Sequence, residues 1–394
     1  MSEAQRARRV VMLLLNPYTH DSRVEKEAAT LVDAGYRVTI LALAAHGLPQ
    51  REIRDGVSVI RVRRPNWPPL LRFFIVRRRM ARLLRASRPD VVHAHDTETL
   101  DIAGGVARDL GVPIVYDAHE LWLERVRRDR TAVYAALTRW YFGRVERRYV
   151  PRASGWITVS APIADHLRRA YDLPEVLVLP NYPLADDDAA EPRDLRGLPG
   201  AERIPVGAPI VLFIGNATEG RGIEPLVAAV AAIPGAHLVL LGAGDQEAFV
   251  DEVARRHGVA ERVHATPRVP PDHVVSYAAS ATVGVSPIPP ASLSYRYSLP
   301  NKLFQYMQAG LPVVASDFPQ VREVVGTTGA GITVDPRDAV ALADAIRTYL
   351  SDQPRRAADG GRGRDAVRER FNWSKVAGGL VELYRRVGPA EANP

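Results

Sequence analysis

Val10-Val-Met-Leu-Leu-Leu15 is an unbroken apolar run of strand length, the pattern of a parallel strand covered on both faces. It stops at Asn16-Pro17-Tyr18, and a helix is predicted from Asp21 or Ser22, with Ser22 and Glu25 at capping-box spacing. Ala34-Gly35 ends that helix, and Arg37-Val-Thr-Ile-Leu-Ala-Leu43 is the next strand. Strand, helix and strand make a βαβ unit, whose ligands are expected beyond the carboxyl ends of the strands. The loop Asn16–Ser22 therefore belongs to the ligand side. Capping and solvation alone would also explain Asp21 and Arg23 at the helix start.

The same rhythm continues outward. Asp90-Val-Val-His-Ala-His-Asp96 and Val112-Pro-Ile-Val-Tyr-Asp-Ala-His-Glu120 are short strands that end in polar clusters, and such clusters at successive strand ends converge on one crevice. Trp156-Ile-Thr-Val-Ser160 closes the first series, with Ser160 placed to cap a helix over residues 162–170. A second series runs from Ile210-Val-Leu-Phe-Ile-Gly215 through His237-Leu-Val-Leu-Leu-Gly-Ala-Gly-Asp245 and Val263–Pro271 to Ala281-Thr-Val-Gly-Val-Ser-Pro287. At 394 residues the chain suits two α/β domains. The Pro-, Asp- and Gly-rich stretch from Pro183 to Pro209 reads as the linker between them, and Asp186-Asp-Asp188 within it as solvated charge.

Composition narrows the function classes. Charged residues at 25% and hydrophobic ones at 46% fit a soluble globular protein. The absence of Cys excludes disulfides, Cys-based zinc sites and a thiol nucleophile. No apolar run reaches spanning length, and Met1–Arg9 lacks a signal-type core, so a cytoplasmic location is expected. A net charge of +7 suits an anionic ligand or an anionic membrane surface, and no nucleic-acid partner is expected because no recognition motif accompanies it. Residues 67–88 interleave Trp67, Phe73, Phe74 and Ile75 with Arg72, Arg77, Arg78, Arg79, Arg82 and Arg85. That helix either lies against anionic lipid as a peripheral contact or buries one apolar side at the protein surface. Arg139–Arg152 is a second basic amphipathic helix. His93 and His95 alternate along one strand and point the same way, but no third ligand is evident and no metal is expected.

The second series holds an anion-binding pattern in Tyr297-Ser-Leu-Pro-Asn-Lys-Leu-Phe-Gln-Tyr-Met-Gln-Ala-Gly-Leu-Pro-Val-Val-Ala-Ser316. Pro300 opens a helix over Lys302–Ala309, Gly310 caps it, and Val313–Ser316 is a buried strand. A helix started in this way aims unpaired N–H groups at whatever precedes it, which favours phosphate, and Lys302 adds a formal charge. Gln305, one turn on, offers an amide near the same place. Gly215 allows close backbone approach, and Arg221 stands just before a helix from about Pro225, where it can engage a diphosphate. An ordinary helix–strand unit is the competing reading of the stretch.

These motifs resemble the retaining glycosyltransferases of family 4, and the Ser-Leu-Pro-Asn-Lys-Leu-Phe-x-Tyr-Met form resembles one branch of them. The resemblance covers residues 10 to 387 and implies the GT-B fold, two doubly wound Rossmann-like α/β domains facing a central cleft. It places an acceptor-side domain at 1–182, completed by a C-terminal helix at 373–388, a linker at 183–208, and a nucleotide-sugar domain at 209–372. It implies donor contacts from Gly215, Asn216, Arg221, Val269, Pro300, Asn301, Lys302, Leu303 and Gln305, with backbone at Val269 meeting the base. Asp21-Ser-Arg-Val24, His93-Ala-His-Asp96 and Tyr116-Asp-Ala-His-Glu120 are similar to the acceptor-side motifs, which implies roles for Tyr18, Asp21, Arg23, His95, Asp96 and Glu120. By the same resemblance His119 contacts the transferred sugar or acceptor, and His119, Arg221 and Lys302 form the catalytic set.

Four positions depart from the family pattern. Two Glu positions of the family fall on Tyr297 and Gln305, Asn216 replaces an Arg, and Arg221 replaces a Lys. Gln305 keeps an acceptor oxygen but loses a charge-assisted bond to ribose, so weaker or altered donor binding is expected. The resemblance implies transfer of a sugar from a nucleotide diphosphate sugar to an acceptor hydroxyl, with retained configuration, a front-face path, no cofactor and no metal. Three rivals stand beside it: a nucleotide-sugar epimerase, a catalytically weak or inactive partner protein that binds nucleotide, and a membrane-surface scaffold.

Overall fold

A computed structural model describes residues 7–19, 21–124, 131–185 and 192–388, with the side chain of Leu70 left out. The chain divides into two compact units, Met1–Asn181 with Val376–Pro394, and Tyr182–Lys375.

The first unit runs β1 (Arg9–Leu13), α1 (Ser22–Asp33), β2 (Arg37–Leu43), β3 (Arg51–Arg54), β4 (Val57–Val62), α2 (Pro69–Ala86), β5 (Val91–His95), α3 (Thr97–Leu110), β6 (Ile114–Ala118), α4 (Ala132–Tyr149), β7 (Gly155–Thr158), α5 (Ala161–Tyr171) and β8 (Leu177–Val178). Its eight-stranded sheet has the order β3-β4-β2-β1-β5-β6-β7-β8, parallel except where edge strand β3 meets β4. β1 lies between β2 and β5, so the strand order reverses at β1, the switch point where a doubly wound sheet opens a crevice. β5 and β6 are buried at every residue, as parallel strands covered on both faces must be.

Within the second unit come β9 (Ile210–Ile214), α6 (Ile223–Ala231), β10 (His237–Leu241), α7 (Glu247–Arg256), β11 (Val263–Thr266), α8 (Val274–Ala278), β12 (Val283–Ser286), α9 (Leu293–Arg296), α10 (Asn301–Gln308), β13 (Val313–Ser316), α11 (Pro319–Thr328), β14 (Gly331–Val334), α12 (Ala339–Ser351) and α13 (Gln353–Glu369). The order β11-β10-β9-β12-β13-β14 is parallel throughout and reverses at β9. Two apolar clusters, one on each face of this sheet, make its core. The chain then returns to the first unit as α14 (Ala377–Val387), whose Leu380, Leu383, Tyr384 and Val387 are buried.

Several local expectations change. Asp21, not Ser22, is the N-cap of α1, its carboxylate accepting from the Val24 N–H, while Glu25 pairs with Arg54. Ser160 occupies the N-cap of α5 without a side-chain cap bond. Pro300 is the N-cap of α10, so the helix starts at Asn301 and not at Lys302. α4 begins two turns before Arg139, because Thr131 caps it through the Tyr134 N–H. The stretch 183–208 is more than a linker: Leu195, Leu198, Ala201 and Ile204 are buried in the core of the second unit. Asp186–Asp188 lie outside the described residues. No helix of the described residues is long and apolar enough to cross a membrane.

Candidate active site

β5 and β6 run in register with His95 beside Asp117, so the polar ends of both strands arrive together. Asp117 is fully buried, and Arg23 from the first turn of α1 grips it with both arms, Nε to Oδ2 and Nη2 to Oδ1, each at 2.9 Å. Burial alone would raise the carboxyl pKa, but Arg23, then His119, hold it well below the usual range. Asp117 is therefore a fixed anion. His119 sets its Nε2 3.0 Å from Asp117 Oδ2 and 3.2 Å from Nδ1 of the buried His95.

Asp96 stands at the N-cap of α3 with φ +61° and accepts the His119 backbone N–H at 3.0 Å. Its other oxygen lies 3.5 Å from His119 Nδ1. Burial pulls the imidazole down, but Asp96 and Asp117 outweigh it and push its pKa up to about 10. His119 is thus an imidazolium at neutral pH and cannot serve as a general base. Its Nδ1–H is only loosely claimed by Asp96, and the ring is 23% exposed, so that donor can turn to a ligand hydroxyl. His119, His95, Asp96, Asp21, Asn16, Leu14, Leu15, Glu98 and Thr99 line an open pocket of about 130 Å³.

Glu27, His93, His95 and Asp117 also come together, with one ligand atom each within 4.8 Å. Charge balance speaks for an internal network. Arg23 lies 3.0 Å from Glu27 and 2.9 Å from Asp117, and with burial holding Glu27 protonated near neutral pH the Arg23 and His119 cations already outweigh the Asp117 anion. A divalent ion there would leave an uncompensated buried charge.

In the second unit Lys302 extends from the first turn of α10 over the Phe213 ring, 3.5 Å from its centroid, and lies 3.8 Å from where a Cβ on residue 215 would stand. Burial, and then repulsion from Arg221, lower its pKa to about 7. Arg221 stacks on Tyr295 at 5.1 Å. Neither cation pairs with a carboxylate among the described residues. The N–H groups of Asn301 and Lys302 begin the same helix with no backbone acceptor. Gly215 has φ +111°, and Gly222, at φ +79°, has no room for a Cβ, which would fall 1.8 Å from the Pro287 carbonyl oxygen. Such a gathering of cations and free helix N–H groups suits an anion.

The sequence-derived residues divide accordingly. His119, His95, Asp96 and Asp21 share the pocket in the first unit; Lys302, Arg221, Gly215, Pro300 and Asn301 gather in the second. Asn216 is exposed and accepts from Arg268, a cation beside Gly242 and Gly215 that sequence reasoning passed over. Gln305 and Tyr297 are half-buried, and Glu120 is half-buried past the end of β6. Val269 packs its side chain against the core. Three expectations are corrected. Arg23 is 4% exposed and braces Asp117, so it is no acceptor contact. The Tyr18 ring is buried beneath the Arg54 guanidinium and does not line the pocket. Leu303 is fully buried in the core, and its N–H bonds the Pro300 carbonyl, so nothing of it is left for a donor.

Comparison with known proteins fits this division. Residues 22–182 match the family described as Glycosyltransferase Family 4, and residues 208–352 match Glycosyl transferases group 1. The chain is 31% identical to the alpha-maltose-1-phosphate synthase of Mycolicibacterium smegmatis over 77% of its length and 80% of that protein. It is 27% identical to a glycogen synthase of Mycobacterium tuberculosis over 79% of its length and 72% of that protein. The structure of a sucrose-phosphate synthase from Thermosynechococcus elongatus superposes with TM-score 0.80 at 21% identity, covering 96% of this chain and 99% of that one.

Proposed function

The chain belongs to glycosyltransferase family 4, with the GT-B fold, and we propose that it transfers a sugar from a nucleotide diphosphate sugar to an acceptor hydroxyl with retained configuration. The Ser298–Met307 motif supports placement in the branch it resembles. The observation that carries the reading is the anion site of the second unit. Two neighbouring cations repel each other there, one is largely buried, no acid among the described residues offsets them, and helix N–H groups begin beside them. A donor diphosphate satisfies all of these groups at once. Arg221 and Lys302 then stabilise the charge that grows on the leaving phosphate, the task a divalent ion performs elsewhere, and on this reading no metal is required.

In the front-face path the acceptor oxygen forms its bond to the anomeric carbon on the side from which the phosphate departs. The carbon–phosphate oxygen bond breaks, and the acceptor proton passes to a donor phosphate oxygen. His119 enters as a hydrogen-bond donor that orients a sugar hydroxyl, consistent with its charged state. Candidate acceptors are a natural product, a glycan or a lipid-linked intermediate.

The exposed residues of α2 and α4 favour a peripheral contact with anionic membrane. α2 contains no acid, and the one acid of α4, Glu146, is buried. Proton NMR of the product's anomeric centre tests the reading. With chelator present, an anomer matching the donor is expected; the opposite anomer, or donor altered without acceptor, would contradict it.

A further inference from the structure

α14 reaches the first unit only after the chain has completed the second, yet its Tyr384 lies at the centre of the first unit's polar network. Tyr384 is fully buried, packs edge-on against Tyr36 at 5.6 Å, and sets its hydroxyl 2.8 Å from His93 Nδ1. The His93 ring stacks on His95 with centroids 4.1 Å apart, and His95 Nδ1 lies 3.2 Å from Nε2 of His119. The opposite nitrogen of His93, Nε2, faces Glu27 Oε2 at 3.9 Å.

The surroundings of the two nitrogens favour one direction for the tyrosine bond. If His93 Nδ1–H donated to Tyr384, the phenol hydrogen would be buried without an acceptor, the costly arrangement. If Tyr384 donates, its hydrogen is used and the remaining His93 hydrogen sits on Nε2, which makes no hydrogen bond but faces the Glu27 carboxyl group at 3.9 Å.

We infer that Tyr384 is a positioning residue of the proposed transferase: it fixes His93 as the Nε2–H tautomer and so holds the histidine ladder against which His119 rests. The inference rests on the reading of His119 as a substrate-orienting group. Tyr384 touches no substrate and acts only through His93 and His95. The charged and titratable groups facing this ladder are Arg23 and Glu27 from α1, Asp117 and His119 from β6 and its end, and Tyr36 and Tyr384.

Long-range nitrogen–proton NMR on histidine-labelled protein reads the tautomer directly, with His93→Gln assigning the signal. In the wild type the His93 hydrogen is expected on Nε2; a hydrogen on Nδ1 overturns the inference. Tyr384→Phe keeps the ring packing and removes the hydroxyl. It is expected to give a mixture of tautomers and to lower kcat about fivefold at unchanged donor KM, the size of one lost hydrogen bond. An unchanged tautomer or an unchanged kcat overturns it. Leu380→Ala loosens the same helix without touching His93, and should lower Tm while sparing kcat; an equal loss of kcat would make Tyr384 a merely structural residue. Absence of transfer by the wild-type protein would sink the transferase reading, whereas the tautomer result would stand apart from it.

Discussion

Lys302 is the residue whose chemistry is easiest to test in solution. Its empty-site pKa of about 7 leaves it partly neutral at physiological pH, and a bound diphosphate would draw the proton back. Nucleoside diphosphate affinity should therefore fall as pH rises through 7, and calorimetry in buffers of different ionisation enthalpy should show proton uptake near pH 8. Binding with no proton uptake would mean that Lys302 does not meet the phosphate. Removing the second cation by Arg221→Ala should weaken the same binding about tenfold to a hundredfold, the worth of a charged hydrogen bond. His119 and Glu27 supply a stability signature of known sign. Burial raises the Glu27 pKa to about 8 against the pull of Arg23, and the acids around His119 raise it to about 10. The folded state holds both protons more tightly than the unfolded chain, so their stabilisation is full at low pH and is lost as pH rises, for His119 between 6.5 and 10. Scanning calorimetry should show Tm declining over that window, and His119→Gln should flatten its upper part. His119, His95 and Asp96 were legible in the sequence because strand ends of a doubly wound sheet gather polar groups. Arg23 was misplaced because helix-start position says nothing of burial. The role of Tyr384 was invisible, since its partner lies 291 residues away.

At the scale of elements, the apolar runs located most strands but not β3, β4, β8 or β14, and polar or proline caps shifted the helix starts. α10 shows what pattern alone misses: one turn leaves Asn301 exposed, tucks Lys302 over Phe213 and sends Leu303 to the core. Leu303→Ala should accordingly cost about 2–5 kcal/mol of stability, with the folded protein keeping its nucleotide affinity; lost affinity at unchanged stability would restore Leu303 to the donor site. α2 was read as a helix with two possible uses, and the structure contributes to both. Val76, Met80 and Leu84 face the interior, while Trp67 just before the helix and Leu71 and Phe74 within it remain exposed. α4 adds Val133, Tyr134, Leu137 and Trp140, and the Phe73–Tyr141 ring contact at 6.0 Å joins the two helices. Arg77, counted among the basic residues, is instead engaged by Asp101. Sedimentation with anionic vesicles should retain the protein, and Leu137→Ser with Trp140→Ser should release it. Equal retention of the double variant would remove α4 from the contact.

For the whole molecule, two α/β domains were readable from length and from two series of strands, because each series must bury its own sheet. The segment before β9 was not readable, because its Pro, Asp and Gly content matches a solvated connector while four of its apolar side chains are buried. A fragment of residues 182–375 should therefore melt cooperatively, and one starting at residue 209 should not, having lost burial worth about 1.5–3 kcal/mol for each large apolar side chain. The departures at Gln305, Tyr297 and Asn216 leave the donor's base and sugar to experiment, yet the cations that would hold its diphosphate are in place. A thermal-shift panel of nucleoside diphosphates in the presence of chelator addresses that claim most directly, since a ligand of the native state raises Tm by mass action. The account predicts a clear rise with at least one nucleoside diphosphate, unaffected by chelator and lost in Arg221→Ala. No rise with any of them, or a rise only with added divalent ion, would contradict it.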